Sequence, residues 1–157
     1  MPDDDGKPRA GSVRLDGDTL TFTRRDRVEW SVGLDELALV GELCTDRGPY
    51  DDDLVVVLVR RDGTWFELPF DAQGAKEVLA ELERRLGADL ALRFCNRTDW
   101  VSRVSWPSDL AGTPLFDLRP APRDSGWFRG LWDWAFPRLS VELSAAARSR
   151  CSDRKTT

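Results

Sequence analysis

Histidine is absent from all 157 residues. That removes the side chain that usually serves as a general base near neutral pH, along with Ser-His and Cys-His catalytic pairs and most zinc sites. Cysteine is scarce and scattered: Cys44, Cys95 and Cys151 are odd in number and far apart, with no CxxC pair. They fit neither a zinc site nor a disulfide framework and read as idle thiols of a reducing compartment. There is no Walker A loop and no GxGxxG phosphate cradle. No uncharged apolar run approaches the roughly 18 residues a membrane span needs. The opening stretch MPDDDGKPRAG has no apolar core, so it is not a secretory signal. A cytoplasmic, non-enzymatic protein without cofactor or metal is expected.

Lysine is almost missing as well, standing only at Lys7, Lys76 and Lys155, so arginine carries the positive charge. With abundant Ala, Gly, Asp and Leu, this usage resembles that of GC-rich bacteria. The charge is uneven. Residues 1–87 hold 12 Lys and Arg against 20 Asp and Glu, whereas residues 88–157 hold 11 against 8. An acidic body argues against nucleic acid as its partner, because phosphate neutralisation dominates such binding. The length suits one domain with an appendage, and a chain of this size buries a core without staples.

What is present is a series of short strands. Residues 1–11 are polar and rich in Pro and Gly, a disordered composition. Val13-Arg14-Leu15 meets the turn Asp16-Gly17, then Leu20 and Phe22 alternate. The basic cluster Arg24-Arg25-Asp26-Arg27 turns the chain into Val28-Glu29-Trp30-Ser31-Val32, which alternates too. Residues 37–43 are apolar-rich, and an acidic loop with Asp51-Asp52-Asp53 follows. The run at 54–59 has no polar face, which predicts a strand covered on both sides. Asp62-Gly63 signals a hairpin into residues 64–70. A helix is predicted over 72–86: Ala75, Val78, Leu79, Leu82 and Leu86 form one apolar stripe, with Asp71 as its cap and Gly87 as its stop.

Three clusters are candidates for chemistry. Asp51-Asp52-Asp53 lacks the spacing of a calcium loop and reads as a solvated turn. Arg24, Arg25 and Arg27 form a compact basic turn able to grip a carboxylate or phosphate, a candidate anion site. The third cluster is aromatic. Trp127, Phe128, Trp132, Trp134 and Phe136 put five aromatics into ten residues. Three readings stand for it: a tail folded over the domain, a protein–protein anchor built from hot-spot residue types, or an interfacial membrane anchor. Earlier, Trp100, Val101 and Val104 have helical spacing that Pro107 ends, and residues 110–118 are apolar enough to pack back on the body. The Ala- and Ser-rich stretch 139–150 is predicted as helix.

The rhythm of Leu20-Thr21-Phe22, Trp30-Ser31-Val32, residues 37–40, the Asp62-Gly63 hairpin and the helix resembles a pleckstrin-homology-like domain of the bacterial PH or GRAM-like kind, over residues 12–87. The resemblance implies a β-rich α+β fold: an antiparallel barrel or bent sheet of six to seven strands capped by one amphipathic helix. It also implies a binding role, for phosphoinositides, peptides or partner domains. Inositide-binding members carry Lys and Arg in the first strand–strand loop, where this chain has Asp16-Gly17-Asp18. The domains expected are a disordered 1–11, a PH-like domain over 12–118 with an elaboration after the helix, and a Trp-rich basic tail over 119–157. The expected function is a binding or adaptor module that recognises a protein through Trp127, Phe128, Trp132 and Trp134. Arg24, Arg25 and Arg27 form a secondary surface. A peripheral membrane module using the same aromatics is the alternative, and an enzyme resting on Asp, Glu or Cys is the second.

Overall fold

The apolar run at 54–59 is a strand with two dry faces. In the computed structural model, which describes residues 11–44, 54–93, 100–120 and 139–152, it forms β5 (Leu54–Arg60). Val55, Val57 and Val59 enter one hydrophobic cluster, while Val56 and Leu58 enter another on the opposite face. Everything else is arranged around that division.

Three strands precede it in one antiparallel sheet, β1 (Ser12–Asp16), β2 (Thr19–Arg24) and β3 (Arg27–Gly33). A 3-10 turn (Leu34–Glu36) then passes the chain to β4 (Leu37–Cys44), which is buried along its whole length. Together with β6 (Trp65–Pro69) and β7 (Val101–Trp106), these make a second antiparallel sheet in the order β6-β5-β4-β7. A hairpin of β8 (Phe116–Pro120) and β9 (Leu139–Leu143) is the third.

The first cluster fills the space between the β1–β3 sheet, one face of the central sheet and the helix α1 (Ala75–Leu86). It joins Val13, Leu20, Phe22 and Val32 to Val40, Val56, Leu58 and Leu68, with Val78, Leu79 and Leu82 above. Each large side chain so buried stabilises the fold by roughly 1.5–3 kcal/mol. The second cluster lies on the other face, where Leu39, Leu43, Val57 and Val104 meet Leu115, Phe116, Leu143 and the short helix α2 (Ala145–Ser152). No helix among the described residues is long and apolar enough to cross a membrane.

The β-rich α+β class stands: six strands precede the helix within residues 12–87 and three follow it, in three sheets that do not close into a barrel among the described residues. At one seam, side chains take the place of a ladder. Trp30 of β3 stacks between Phe22 and Phe66, each at 5.4 Å, and its indole N–H donates to the Glu67 carbonyl of β6 at 3.2 Å.

Local readings also change. The helix starts at Ala75 rather than 72, and Asp71 does not cap it. Residue 73 is used otherwise: Val13 N–H donates to the Gln73 carbonyl at 2.8 Å and Gln73 N–H to the Gly11 carbonyl at 3.0 Å, tying β1 down in a parallel bridge. Gly74 then turns the chain with φ +83°, and a Cβ there would collide with the Val13 carbonyl oxygen. Gly87 stops the helix as expected, its N–H returning to Glu83.

Trp100, Val101 and Val104 are not helical. Residues 101–106 pair with β4 instead, because an open edge of the central sheet outweighs a weak local spacing. Leu139, Val141 and Leu143 alternate as β9, so the expected C-terminal helix begins only at Ala145, where Ser144 Oγ accepts the Ala147 N–H at 3.2 Å. The β8–β9 ladder, from Phe116↔Leu143 to Pro120↔Leu139, joins residues on both sides of position 118.

Candidate functional site

The Asp62-Gly63 turn shapes one wall of a groove. Asp62 Oδ1 accepts the Thr64 N–H at 2.9 Å, and Arg60 N–H closes the hairpin on the Thr64 carbonyl at 2.8 Å. Thr64, through its backbone N–H and then its hydroxyl, followed by Arg60 nearby, holds the Asp62 carboxyl below its ordinary range. The turn presents Trp65 at the head of β6. Its ring meets Phe116 edge-on at 5.3 Å, yet 37% of the residue remains exposed.

The facing wall comes from β9 and α2. Val141, Leu143 and Cys151 line it, with Glu142 and Arg148 at the rim 3.5 Å apart. The groove between the walls holds about 450 Å³. Burial pushes the Cys151 thiol up, and its Sγ lies 3.5 Å from the Arg60 carbonyl. A thiol so placed stays protonated and is a wall rather than a nucleophile.

The hairpin register sets which apolar residues of β8 and β9 share a face beside this groove. Residues 116 and 118 of β8 share a face, and they stand opposite 143 and 141 of β9. Phe116 and Leu143 at the inner end are buried, Val141 is half-buried, and Leu118 is 38% exposed. An apolar row thus runs out of the core, past Trp65, into solvent. Trp65 and Leu118 are its exposed members, at 37% and 38%.

Of the residues singled out from sequence, Trp127, Phe128, Trp132 and Trp134 lie outside the described residues, as do Asp51-Asp52-Asp53 and Cys95. The described chain does fix where the aromatic segment departs and returns. Pro120 and Leu139 are paired residues of one hairpin, so 121–138 is the connection between two neighbouring strands.

Arg24, Arg25 and Arg27 sit at the β2–β3 turn. Arg25 and Asp26 have φ +49° and +61°, the left-handed pair a two-residue hairpin of this kind demands. Arg24 lays its guanidinium over the Phe22 ring at 5.5 Å, and its buried Nε has no partner among the described residues. Arg27 is its cross-strand neighbour, and Arg25 is exposed at the tip. The acidic first turn serves the fold itself. Asp18 takes Arg85 of α1 at 2.7 Å, and Arg85 also reaches the Gly17 carbonyl.

Trp65, Leu118 and Val141 were not singled out from sequence. A Trp just past an Asp-Gly turn was a visible signal, whereas the row it joins depends on the β8–β9 register. No protein-family model, no curated protein and no solved structure matches the chain.

Proposed function

We propose that this chain is a non-enzymatic binding or adaptor module that recognises a protein partner. The observation that carries the reading is the apolar row from Phe116 and Leu143 out to Leu118 and Val141, beside the exposed face of Trp65. Tryptophan in a half-open apolar pocket with a charged rim is the residue type and setting in which binding energy concentrates. The pairing of Pro120 with Leu139 supports a contribution from the aromatic connection. Trp127, Phe128, Trp132 and Trp134 leave from and return to the hairpin that carries Leu118. The basic turn of Arg24, Arg25 and Arg27 is a secondary surface in this proposal, and kinship with PH-like domains belongs to it.

The test compares wild type with Trp65→Ala and with Trp132→Ala/Trp134→Ala. A protein cross-linked to the wild type and lost from both variants, with their melting profiles kept, supports the reading. Co-sedimentation of the wild type with anionic or neutral vesicles, lost in the double variant, transfers the site to a lipid surface instead. A partner retained by all three proteins rules out the aromatic surface.

A further inference from the structure

A second hollow lies at the end of the central sheet, where β5 ends and α2 arrives. Arg61 follows the last residue of β5 and is held by its backbone, whose N–H donates to the Glu36 carbonyl at 2.9 Å. The second helix docks on the same end. Ala147 is fully buried, and Cys151 Sγ lies 3.5 Å from the Arg60 carbonyl. That docking brings Arg150 round to the side of Arg61. The two arginines line one small hollow of about 70 Å³, whose other walls are Leu37, Ala38 and Trp106.

Two arginines thus share one small hollow whose other walls, Leu37, Ala38 and Trp106, carry no side-chain acceptor for them. Two carboxylates of the neighbourhood are engaged with Arg60, and a third pairs with Arg150. Glu36 is 2.7 Å and Asp62 3.5 Å from Arg60, and Asp109 is 3.5 Å from Arg150, the one carboxylate among the described residues that an incoming anion would have to displace or share the guanidinium with. Arg61 has no ion-pair or hydrogen-bond partner for its side chain among the described residues. We propose that this hollow binds one small oxyanion, a phosphate or a carboxylate, gripped from two sides by Arg61 and Arg150 against the Trp106 ring. The planar fork of arginine matches two oxygens of either group, which a lysine ammonium does not. The two arginines sit on separate elements, so an anion there also ties α2 to the β5–β6 hairpin.

The experiment is a titration of the full chain with inorganic phosphate and, separately, with acetate, followed by the arginine Nε–H and tryptophan indole N–H signals. Chloride at equal ionic strength is the control. The expected result is a saturable shift at Arg61, Arg150 and Trp106, with affinity reduced about tenfold or more in Arg61→Gln and in Arg150→Gln. Arg61→Lys, which keeps the charge and loses the fork, is expected between the two. A response to one anion alone selects phosphate or carboxylate within the proposal. A response no larger than that to chloride, or one that Arg61→Gln leaves unchanged, overturns it. Arg61 is exposed and its Gln variant keeps the backbone bond to Glu36, so that arm stands even if Arg150→Gln loosens the helix.

Discussion

Glu42 on β4 and Arg103 on β7 stand opposite each other in the ladder and share an ion pair with no access to water on the acid side. Arg103 Nε donates to Glu42 Oε1 at 2.8 Å, and Nη2 lies 2.7 Å from the same oxygen. The carboxylate also accepts the Arg93 N–H, at 2.9 Å to Oε2. Arg103 reaches the Ala91 carbonyl at 3.3 Å, so the pair clamps the segment after α1 onto the central sheet. Removing Glu42 takes away the buried acceptor of both the Arg103 side chain and the Arg93 N–H. Glu42→Ala is expected to cost about 3–5 kcal/mol, read as a fall in the urea midpoint at constant slope. Amide exchange at Arg93 should quicken in parallel, and a midpoint close to wild type would contradict the clamp.

Gly74 and Gly63 both have positive φ, but only the first is crowded. A Cβ at Gly74 collides with the Val13 carbonyl oxygen, whereas at Gly63 nothing lies within 4 Å. Gly63→Ala should therefore cost only the left-handed backbone term, about 1–2 kcal/mol. Gly74→Ala should cost more, because the β1 attachment through Gln73 must shift as well. Thermal unfolding of the two variants side by side measures the difference, and equal losses would refute the contact.

Glu81 answers to pH. Arg84 and then Arg85 lower its carboxyl from the ordinary 4.5 to about 2. A depressed carboxylate adds stability that is fully present above its unfolded value and is lost as pH falls through its folded one. Glu81→Gln should therefore lower the melting temperature at neutral pH and flatten its fall between about pH 4.5 and pH 2. The group is exposed to solvent, so high salt should shrink the effect. A wild-type profile that matches the variant throughout would deny the triad any part in stability.

The hollow of Arg61 and Arg150 adds a stability readout. If an oxyanion ties α2 to the β5–β6 hairpin, millimolar-range phosphate should raise the wild-type melting temperature in proportion to occupancy. Arg61→Gln should show no such rise, and equal rises in both proteins would place the effect elsewhere.

Much of the scaffold was legible because local and global preferences agree there. The unbroken apolar run of β5, the Asp62-Gly63 turn and the stripe Ala75, Val78, Leu79, Leu82 each admit one economical structure. The misread segments are those where two patterns coexist. Trp100, Val101 and Val104 fit a helix by spacing, and only the waiting edge of β4 makes them a strand. Leu139, Val141 and Leu143 alternate, but an Ala-rich continuation masks the change of period at Ser144. Gln73 looked like helix and is held extended by the backbone of β1. Glu42 was the one acid within the apolar stretch 37–44, a signal of a buried partner whose identity, sixty-one residues on, no local pattern names. The apolar row of Leu118 and Val141 beside Trp65 needs the β8–β9 register, which residue spacing alone does not specify.

Photo-cross-linking from the exposed end of that row is the sharpest test of the proposed protein recognition. Leu118→p-benzoylphenylalanine, carried in the full chain and irradiated in a lysate of the source cells, is expected to yield one discrete protein adduct that disappears when Trp65→Ala is added. An adduct that persists without Trp65, or no protein adduct while vesicles take up the chain, would contradict a protein-recognition groove.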